Sequence, residues 1–260
     1  MSNLKDAKRI VIKVGTSTLT HKTGLLNLRR IEQLVTVLSD LKNAGKEIIL
    51  VTSGAIGVGV GKLGLSQKPN DTPTKQACAA LGQSELMYVY DKYFSEHNHN
   101  AAQILLTRDI IEDEQRKSNV INTFDKLLEH GIIPIVNEND SVSVEEIEFG
   151  DNDTLSAIVA KLSHAELLII MTDIDGLYDK DPHKNKDAKL ISRVDVIDDY
   201  ILSLAGEKGS SLGTGGMITK IQAAQLSVSA GIPMMIINGE YPKHLYKLYD
   251  GEQVGTIFEV

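Results

Sequence analysis

The chain has 260 residues, an apolar share of 42% and a net charge of −8. This length suits one large α/β domain or two small ones, with enough apolar residues for a core. The acidic balance argues against nucleic acid or an anionic membrane as the main partner, because both bind basic surfaces. We find no signal-peptide core and no apolar run long enough to span a membrane, so we expect a cytoplasmic protein.

Short β-branched runs alternate with helical patterns along nearly the whole chain. Strands are predicted at residues 9–14, 46–51, 101–106, 132–136, 167–171, 233–237 and 256–260. Helices are predicted at residues 28–44, 72–97, 118–130, 153–162, 194–205 and 217–230, with Thr72 as the N-cap of the second. This order predicts an α/β fold: one domain, 1–260, built as a three-layer αβα sandwich with a mainly parallel central sheet.

Polar or glycine-rich loops follow several predicted strands, and such loops meet at one edge of a parallel sheet. They are Gly15–Ser17, Ser53–Gly61, Asn137–Asp153 and Thr172–Gly176. Within the third loop, the clusters 137–140 and 150–153 suggest a site for a small polar molecule, although each alone is also compatible with an Asx turn. Residues 142–149 alternate as a small hairpin would.

Two glycine-rich segments have the composition of phosphate-binding loops. Ser53-Gly54-Ala55 leads into a glycine-rich segment, and Gly213–Met217 opens the predicted helix that contains Lys220. Glycines let a backbone approach a phosphate closely, and a helix N-terminus then presents N–H groups to it. Neither matches the Walker A pattern or the dinucleotide fingerprint. The histidines show no metal-ligand spacing and there is no Gly-x-Ser-x-Gly elbow, so we expect no protein-held metal and no serine hydrolase.

Lys13 and Lys220 are the candidate cations. Lys13 lies inside an otherwise apolar strand, where a charge is costly without a partner. Lys220 lies one turn into the helix that follows the second glycine-rich segment. Two cations directed at one site suit phosphoryl transfer. The alternatives are a snorkelling edge lysine at position 13 and a solvated surface lysine at position 220.

The chain resembles the amino-acid kinase family, and within it the members that act on glutamate. The matching segments are spread over most of the chain: 12–17, 51–56, 82–84, 137–140, 150–153 and 213–220. The resemblance implies ATP- and Mg²⁺-dependent phosphorylation of the side-chain carboxylate of L-glutamate, the first step of proline biosynthesis. It further implies that Lys13 and Lys220 stabilise the transferring phosphoryl group and that Asp153 orients both lysines.

The resemblance also implies two binding sets. The first set would bind glutamate: Ser53, Gly54, Ala55, Asn137, Asp140, Asp151 and Asn152. The second set would bind ATP: Lys13, Thr172, Asp173, Thr214, Gly215, Gly216, Met217, Ile218, Thr219 and Lys220. On this basis the N-terminal part would bind mainly glutamate, and the part from about residue 165 mainly ATP. The carboxylate is already ionised near neutral pH, so the reaction needs no general base.

Several alternatives stay open at this stage. Kinases for N-acetylglutamate, aspartate, carbamate or uridylate belong to the same family. An inactive ligand sensor built on the same fold is a further alternative. N-acetylglutamate has no free ammonium and would match the acidic loops poorly, and the presence of both lysines speaks against a sensor. The resemblance adds three expectations: a homodimer or homotetramer, feedback inhibition by proline, and no room for the extra C-terminal domain, of a type found in RNA-modifying proteins, that many members carry.

Overall fold

The computed structural model describes residues 5–21, 23–107, 110, 112–142, 152–182, 184–204 and 216–260. In this part of the chain the strands are β1 (Arg9–Val14), β2 (Glu47–Val51), β3 (Ala101–Leu106), β4 (Ile133–Glu138), β5 (Leu167–Thr172), β6 (Leu177–Tyr178), β7 (Leu190–Ile191), β8 (Arg193–Val194), β9 (Met234–Asn238) and β10 (Thr256–Phe258). The helices are α1 (Thr16–Leu19), α2 (Leu28–Asn43), α3 (Ala55–Lys62), α4 (Thr72–Glu96), α5 (Glu114–Glu129), α6 (Asn152–Leu162), α7 (Asp199–Ser203), α8 (Met217–Ser229) and α9 (His244–Tyr249).

Eight of the described strands form one sheet in the order β3-β4-β2-β1-β5-β9-β10-β8. Every neighbouring pair is parallel except β9 and β10, which pair antiparallel. The remaining two described strands, β6 and β7, form a small antiparallel ribbon. The predicted mainly parallel sheet is confirmed.

Two apolar cores cover the two faces of this sheet, because successive residues of each strand point to opposite sides. On β1, Ile10 and Ile12 pack into the core that contains α2, α4 and α9. Val11 packs into the other core, with α5, α6 and α8. Lys13 follows the same alternation and therefore points to the face covered by α6 and α8. The three-layer αβα arrangement is thus confirmed, and it sets the direction of Lys13.

The structure differs from the sequence-based prediction in several elements. Ser53–Gly61 was expected to be a loop, but most of it is helix α3, and a short helix, α1, follows Gly15. The N-cap of α4 is Asp71, whose side chain accepts a hydrogen bond from the Thr74 amide, so the assignment of Thr72 was wrong. The helix predicted over 194–205 is wrong at its start, because Val194 belongs to β8 and the described helix covers only Asp199–Ser203.

The fourth strand runs further than the periodicity indicated. β4 continues through Asn137 and Glu138, whereas the prediction ended it at Val136. The ladder with β3 explains the extension, since Leu105 and Leu106 pair with these two polar residues. The predicted hairpin at 142–149 lies almost wholly outside the described residues.

Candidate active site

Five parallel strands end at one edge of the sheet, and the sequence predicted this for four of them, β1, β2, β4 and β5. Backbone hydrogen bonds join the segments that leave them. The Gly15 amide donates to the Met171 carbonyl at 3.3 Å, and the Thr52 amide donates to the Val136 carbonyl at 2.8 Å. The Gly239 amide donates to the Thr172 carbonyl at 2.6 Å. The ends of β1, β2, β4, β5 and β9 are therefore held side by side, and the site is built on them.

A buried carboxylate lies at the centre of this edge. Asp153, in the first turn of α6, has a fully buried side chain. Its Oδ1 lies 2.5 Å from the Lys13 Nζ on β1, and its Oδ2 lies 3.1 Å from the Lys220 Nζ on α8. Both lysine side chains are less than a tenth exposed. The snorkelling and surface alternatives for these lysines are therefore wrong.

Thr219 is the third residue whose side chain contacts the Asp153 carboxylate. Its hydroxyl lies 2.9 Å from the Asp153 Oδ2 and 2.8 Å from the Gly216 carbonyl. The hydroxyl thus joins the first turn of α8 to α6, next to the Lys220 ion pair. The sequence placed Thr219 only among ATP-binding residues, and its contact with Asp153 could not be read from a separation of 66 residues.

The predicted glutamate-binding residues lie beside this cluster. The Asn152 Nδ2 lies 2.7 Å from the Thr52 carbonyl oxygen, 3.1 Å from the Ser53 Oγ and 2.8 Å from the Asn137 Oδ1. All of these side chains are buried. Asp140 is also buried, in the turn after β4. The structure thus brings Ser53, Asn137 and Asn152 together, whereas Asp151 lies outside the described residues.

The loop after β2 turns sharply into α3. Gly54 is the N-cap of α3 and has a φ of 91°, a left-handed conformation that favours glycine. A Cβ at this position would lie 3.2 Å from the Thr16 Cγ2, so the glycine also lets the segment after β1 approach. Ala55 then begins the helix with its amide at the same edge as Ser53. The prediction that Ser53–Ala55 lets the backbone approach a phosphate stays a prediction.

The predicted nucleotide-binding residues lie along β5 and the start of α8. Thr172 is buried at the end of β5, and its hydroxyl lies 3.1 Å from the carboxylate of the exposed Asp173. Gly216 is the N-cap of α8, and Met217 and Ile218 form its first turn with Thr219. Thr214 and Gly215 lie outside the described residues. Thr219 and Lys220 contact the Asp153 Oδ2, Lys13 contacts the Oδ1, and Thr172 and Asp173 lie at the end of β5.

Gln83, on α4, belongs to the site but had no role in the sequence-based prediction. Its Oε1 accepts a hydrogen bond of 2.9 Å from the Asn137 Nδ2. Helix α4 comes this close because Gly82 has no side chain: a Cβ there would lie 1.8 Å from the Ala55 carbonyl oxygen. The only signal in the sequence was the Gly82-Gln83-Ser84 segment, which carried part of the family resemblance. Thr52 was missed as well, and its hydroxyl lies 2.9 Å from that of the buried Tyr90.

With the geometry in view, comparison with known proteins assigns the family. Residues 8–238 match the Amino acid kinase family, and the chain therefore belongs to that family. It is 57% identical over 259 residues to the Glutamate 5-kinase of Clostridium perfringens (strain 13 / Type A), covering 98% of this chain and 96% of that protein. It is 54% identical over 260 residues to the Glutamate 5-kinase of Listeria innocua serovar 6a, covering 98% and 94%.

A solved structure agrees on the fold. The isopentenyl phosphate kinase of T. acidophilum, in a product complex, superposes with a TM-score of 0.66 at 18% identity, covering 96% of this chain and all of that one. At this identity the likeness supports the fold alone. Within the part of the chain that the structure describes, no helix is both long and apolar enough to cross a membrane.

Proposed function

We propose that this chain transfers the γ-phosphoryl group of ATP to the side-chain carboxylate of L-glutamate, giving γ-glutamyl phosphate and ADP. The observation that carries the proposal is the pair of buried ammonium groups, Lys13 and Lys220, on the single carboxylate of Asp153. Relatives more than 50% identical over nearly the whole chain are named Glutamate 5-kinase, and this name supports the choice of acceptor. The product is the first intermediate of proline biosynthesis.

The reaction follows from charge and position. A γ-carboxylate oxygen of glutamate attacks the γ-phosphorus of MgATP, and the bond from that phosphorus to the β–γ bridging oxygen breaks as the new P–O bond forms. No proton is transferred, because the attacking carboxylate is ionised at neutral pH. Negative charge spreads over the transferring group, so positioned ammonium groups supply much of the catalysis. Lys13 and Lys220 are the groups that would do this, held by Asp153.

The acceptor is proposed to bind between β2, β4 and α6. An amino-acid ammonium needs carboxylate and amide oxygens around it, and a buried polar pocket supplies them without competing water. Asp140 and Asn152 are buried and offer such oxygens, while Asn137 holds Asn152 by accepting a hydrogen bond from its Nδ2. The Ser53 Oγ lies 3.1 Å from the Asn152 Nδ2, and the Gly54–Ala55 backbone follows it in the chain. Asp151 completes the proposed set. The lysines at the Asp153 end would then face the side-chain carboxylate.

The nucleotide is proposed to bind to the part of the chain from about residue 165, at Thr172, Asp173 and residues 214–220. The described residues contain no group of three or more His, Cys, Asp or Glu that could hold a metal ion. Mg²⁺ therefore enters the proposal as part of the MgATP substrate, bound mainly by phosphate oxygens and water. One sheet carries both halves, since β1 pairs with β2 on one side and with β5 on the other.

Three finer points belong to the same proposal. We infer a cytoplasmic location from the sequence pattern, and a homodimer or homotetramer and inhibition by proline from the family resemblance. Light scattering of the purified protein checks the assembly: a monomeric mass contradicts it. Initial rates at rising proline concentration check the inhibition, and a flat curve up to saturating proline contradicts it.

Trapping the acyl phosphate tests the function directly. The protein is incubated with ATP, Mg²⁺ and hydroxylamine, with L-glutamate, N-acetylglutamate or aspartate offered in parallel. Hydroxamate formed only with L-glutamate supports the proposal, and hydroxamate with another acid reassigns the acceptor within the family. No hydroxamate with any acid favours carbamate as acceptor or an inactive sensor on the same fold. A Lys220→Ala preparation in parallel detects any contaminating kinase.

A further inference from the structure

Three buried side-chain amides form a hydrogen-bonded relay across the acceptor end of the site. We call Gln83, Asn137 and Asn152 the amide relay. The Asn152 Nδ2 donates to the Asn137 Oδ1 at 2.8 Å, and the Asn137 Nδ2 donates to the Gln83 Oε1 at 2.9 Å. The relay begins at Asn152, next to Asp153 in the chain, and ends at Gln83. It connects α6, β4 and α4.

Backbone groups fix the direction of the Asn137 and Asn152 amides, and Asn137 in turn fixes that of Gln83. The Glu138 amide donates to the Asn137 Oδ1 at 2.9 Å, so that atom must be the carbonyl oxygen. The Thr52 carbonyl accepts from the Asn152 Nδ2 at 2.7 Å, so that atom must be the amide nitrogen. Because Asn137 is fixed, its nitrogen faces Gln83 and the Gln83 oxygen must face Asn137. Flipping Asn137 or Asn152 would lose a backbone partner, and flipping Gln83 would lose its hydrogen bond to Asn137.

This fixed direction leaves one donor and one acceptor at the ends. The Gln83 Nε2 and the Asn152 Oδ1 are buried, and neither has a hydrogen-bond partner among the residues that the structure describes. The two side chains are 8% and 3% exposed. Leaving a buried polar group without a partner is costly, so such a group in a native protein points to a bound water, ion or ligand. A donor at one end and an acceptor at the other match an α-carboxylate and an α-ammonium.

We propose, on the basis of the proposed function, that Gln83 is a substrate-binding residue whose Nε2 donates to the α-carboxylate of L-glutamate, while the Asn152 Oδ1 accepts from the α-ammonium. Gln83 then selects acceptors that carry a free α-carboxylate. Two close helix contacts hold it in place. A Cβ on Gly82 would lie 1.8 Å from the Ala55 carbonyl oxygen, and one on Gly59 would lie 2.0 Å from the Cys78 carbonyl oxygen. Both glycines let α4 pack directly on α3 at the edge of the site.

Two variants separate a contact with substrate from a merely structural role. Gln83→Met removes the donor and the acceptor while keeping the length of the side chain. Gln83→Glu keeps an oxygen for the Asn137 Nδ2 but replaces the donor with a like charge for the α-carboxylate. KM for L-glutamate and KM for MgATP are measured at pH 7.0 and 8.5 through ADP release. Gln76→Met, the same change elsewhere on α4, is the matched control.

Gln83→Met is expected to raise KM for L-glutamate by about 10- to 100-fold, the value of one hydrogen bond to a charged group, with KM for MgATP unchanged. Gln83→Glu is expected to raise KM for L-glutamate at least as much at pH 8.5. An unchanged KM for L-glutamate in Gln83→Met overturns the proposal. So does a Gln83→Glu enzyme that behaves as the unaltered chain at pH 8.5, because that variant keeps the structural bond to Asn137.

If Gln83→Glu does not fold, Gln83→Met is measured with 4-aminobutanoate, which lacks the α-carboxylate, as a competitor of L-glutamate. The proposal expects weaker L-glutamate binding and an unchanged inhibition constant for the competitor, and equal weakening of both overturns it. Failure of the proposed function has a different signature. It shows as absence of γ-glutamyl phosphate from the unaltered chain, whereas failure of this inference leaves that product intact.

Discussion

Lys13 and Lys220 are 207 positions apart in the sequence, yet they ion-pair with the two oxygens of one buried carboxylate, at 2.5 and 3.1 Å from Asp153. The charges of these three side chains sum to +1, at the edge where the parallel strands end. Helix α6 supplies the carboxylate, and β1 and α8 supply the ammonium groups. The carboxylate therefore joins the two halves of the site as well as orienting the lysines.

Asp153→Asn is expected to destabilise the protein as well as inactivate it. Removing one member of a buried ion pair leaves uncompensated charge, at a cost of about 3–5 kcal/mol. Urea unfolding measures the stability, and hydroxamate formation measures the activity. Glu129→Gln is the control, because it breaks only an exposed pair with Lys126 that is worth about 0–1 kcal/mol. Equal unfolding free energies for the two variants would contradict this account of Asp153.

Lys13→Met and Lys220→Met are expected to lower kcat by about 100-fold or more, the cost typical of losing one group that stabilises a transition state. Both changes keep an unbranched side chain of similar length. KM for MgATP should change less than kcat, since the contribution is largest when charge develops on the transferring group. Lys126→Met, on the exposed face of α5, is the control. Retention of more than about a tenth of kcat in either variant would contradict the role in phosphoryl transfer.

The central strands were predictable because they are buried on both faces. β1, β2 and β5 appear as short apolar runs, and Gly45 marks the end of the helix between the first two. Lys13 was conspicuous for the same reason, as a charge within such a run. Its partner was not derivable from spacing, because 140 residues separate it from Asp153. Only the family resemblance brought the two residues together before the structure did.

Helix α3 shows why other parts of the fold were missed. Its glycines favour a loop by intrinsic propensity, at a cost of about 1 kcal/mol each within a helix. Packing overrides that cost: Gly59 and Gly82 allow backbone contacts between α3 and α4 that no other residue would permit. The role of Gln83 was not predicted for the same reason. Its place in the site depends on this contact between α3 and α4 and not on its neighbours in the sequence.

Gly82→Ala tests that contact. Its Cβ would fall 1.8 Å from the Ala55 carbonyl oxygen, a backbone atom that cannot rotate away, so α4 must move from α3. Overpacking of this kind costs about 1–3 kcal/mol or more. Thermal unfolding and KM for L-glutamate should both worsen, because Gln83 moves with the helix. Ala80→Ser, on the exposed side of the same helix, is expected to be neutral. A Gly82→Ala protein with unaltered melting would contradict the packing argument.

The lowered pKa of His244 predicts that the protein loses stability in mild acid. Burial lowers the pKa of its imidazole, Lys247 lowers it further, and Asp175 and a backbone bond at Asn238 oppose the shift only in part. The unfolded chain then binds a proton at a higher pH than the folded chain. The unfolding free energy must therefore fall as pH decreases through the ordinary histidine pKa, about 6.5. Urea unfolding at pH 7.5 and 5.5 should show a smaller drop for His244→Gln. Identical drops would contradict the assignment.

Thr219 provides a test of how Asp153 is held. Thr219→Val keeps the shape of the side chain but removes the hydroxyl that lies 2.9 Å from the Asp153 Oδ2, and Thr219→Ser keeps the hydroxyl. If this bond orients the carboxylate for both lysines, Thr219→Val should lower kcat by about 10-fold, the cost of a hydrogen bond to a charged group, while Thr219→Ser stays near the unaltered chain. An effect confined to KM for MgATP would instead mean that the hydroxyl contacts the nucleotide and that Lys13 and Lys220 suffice to hold Asp153.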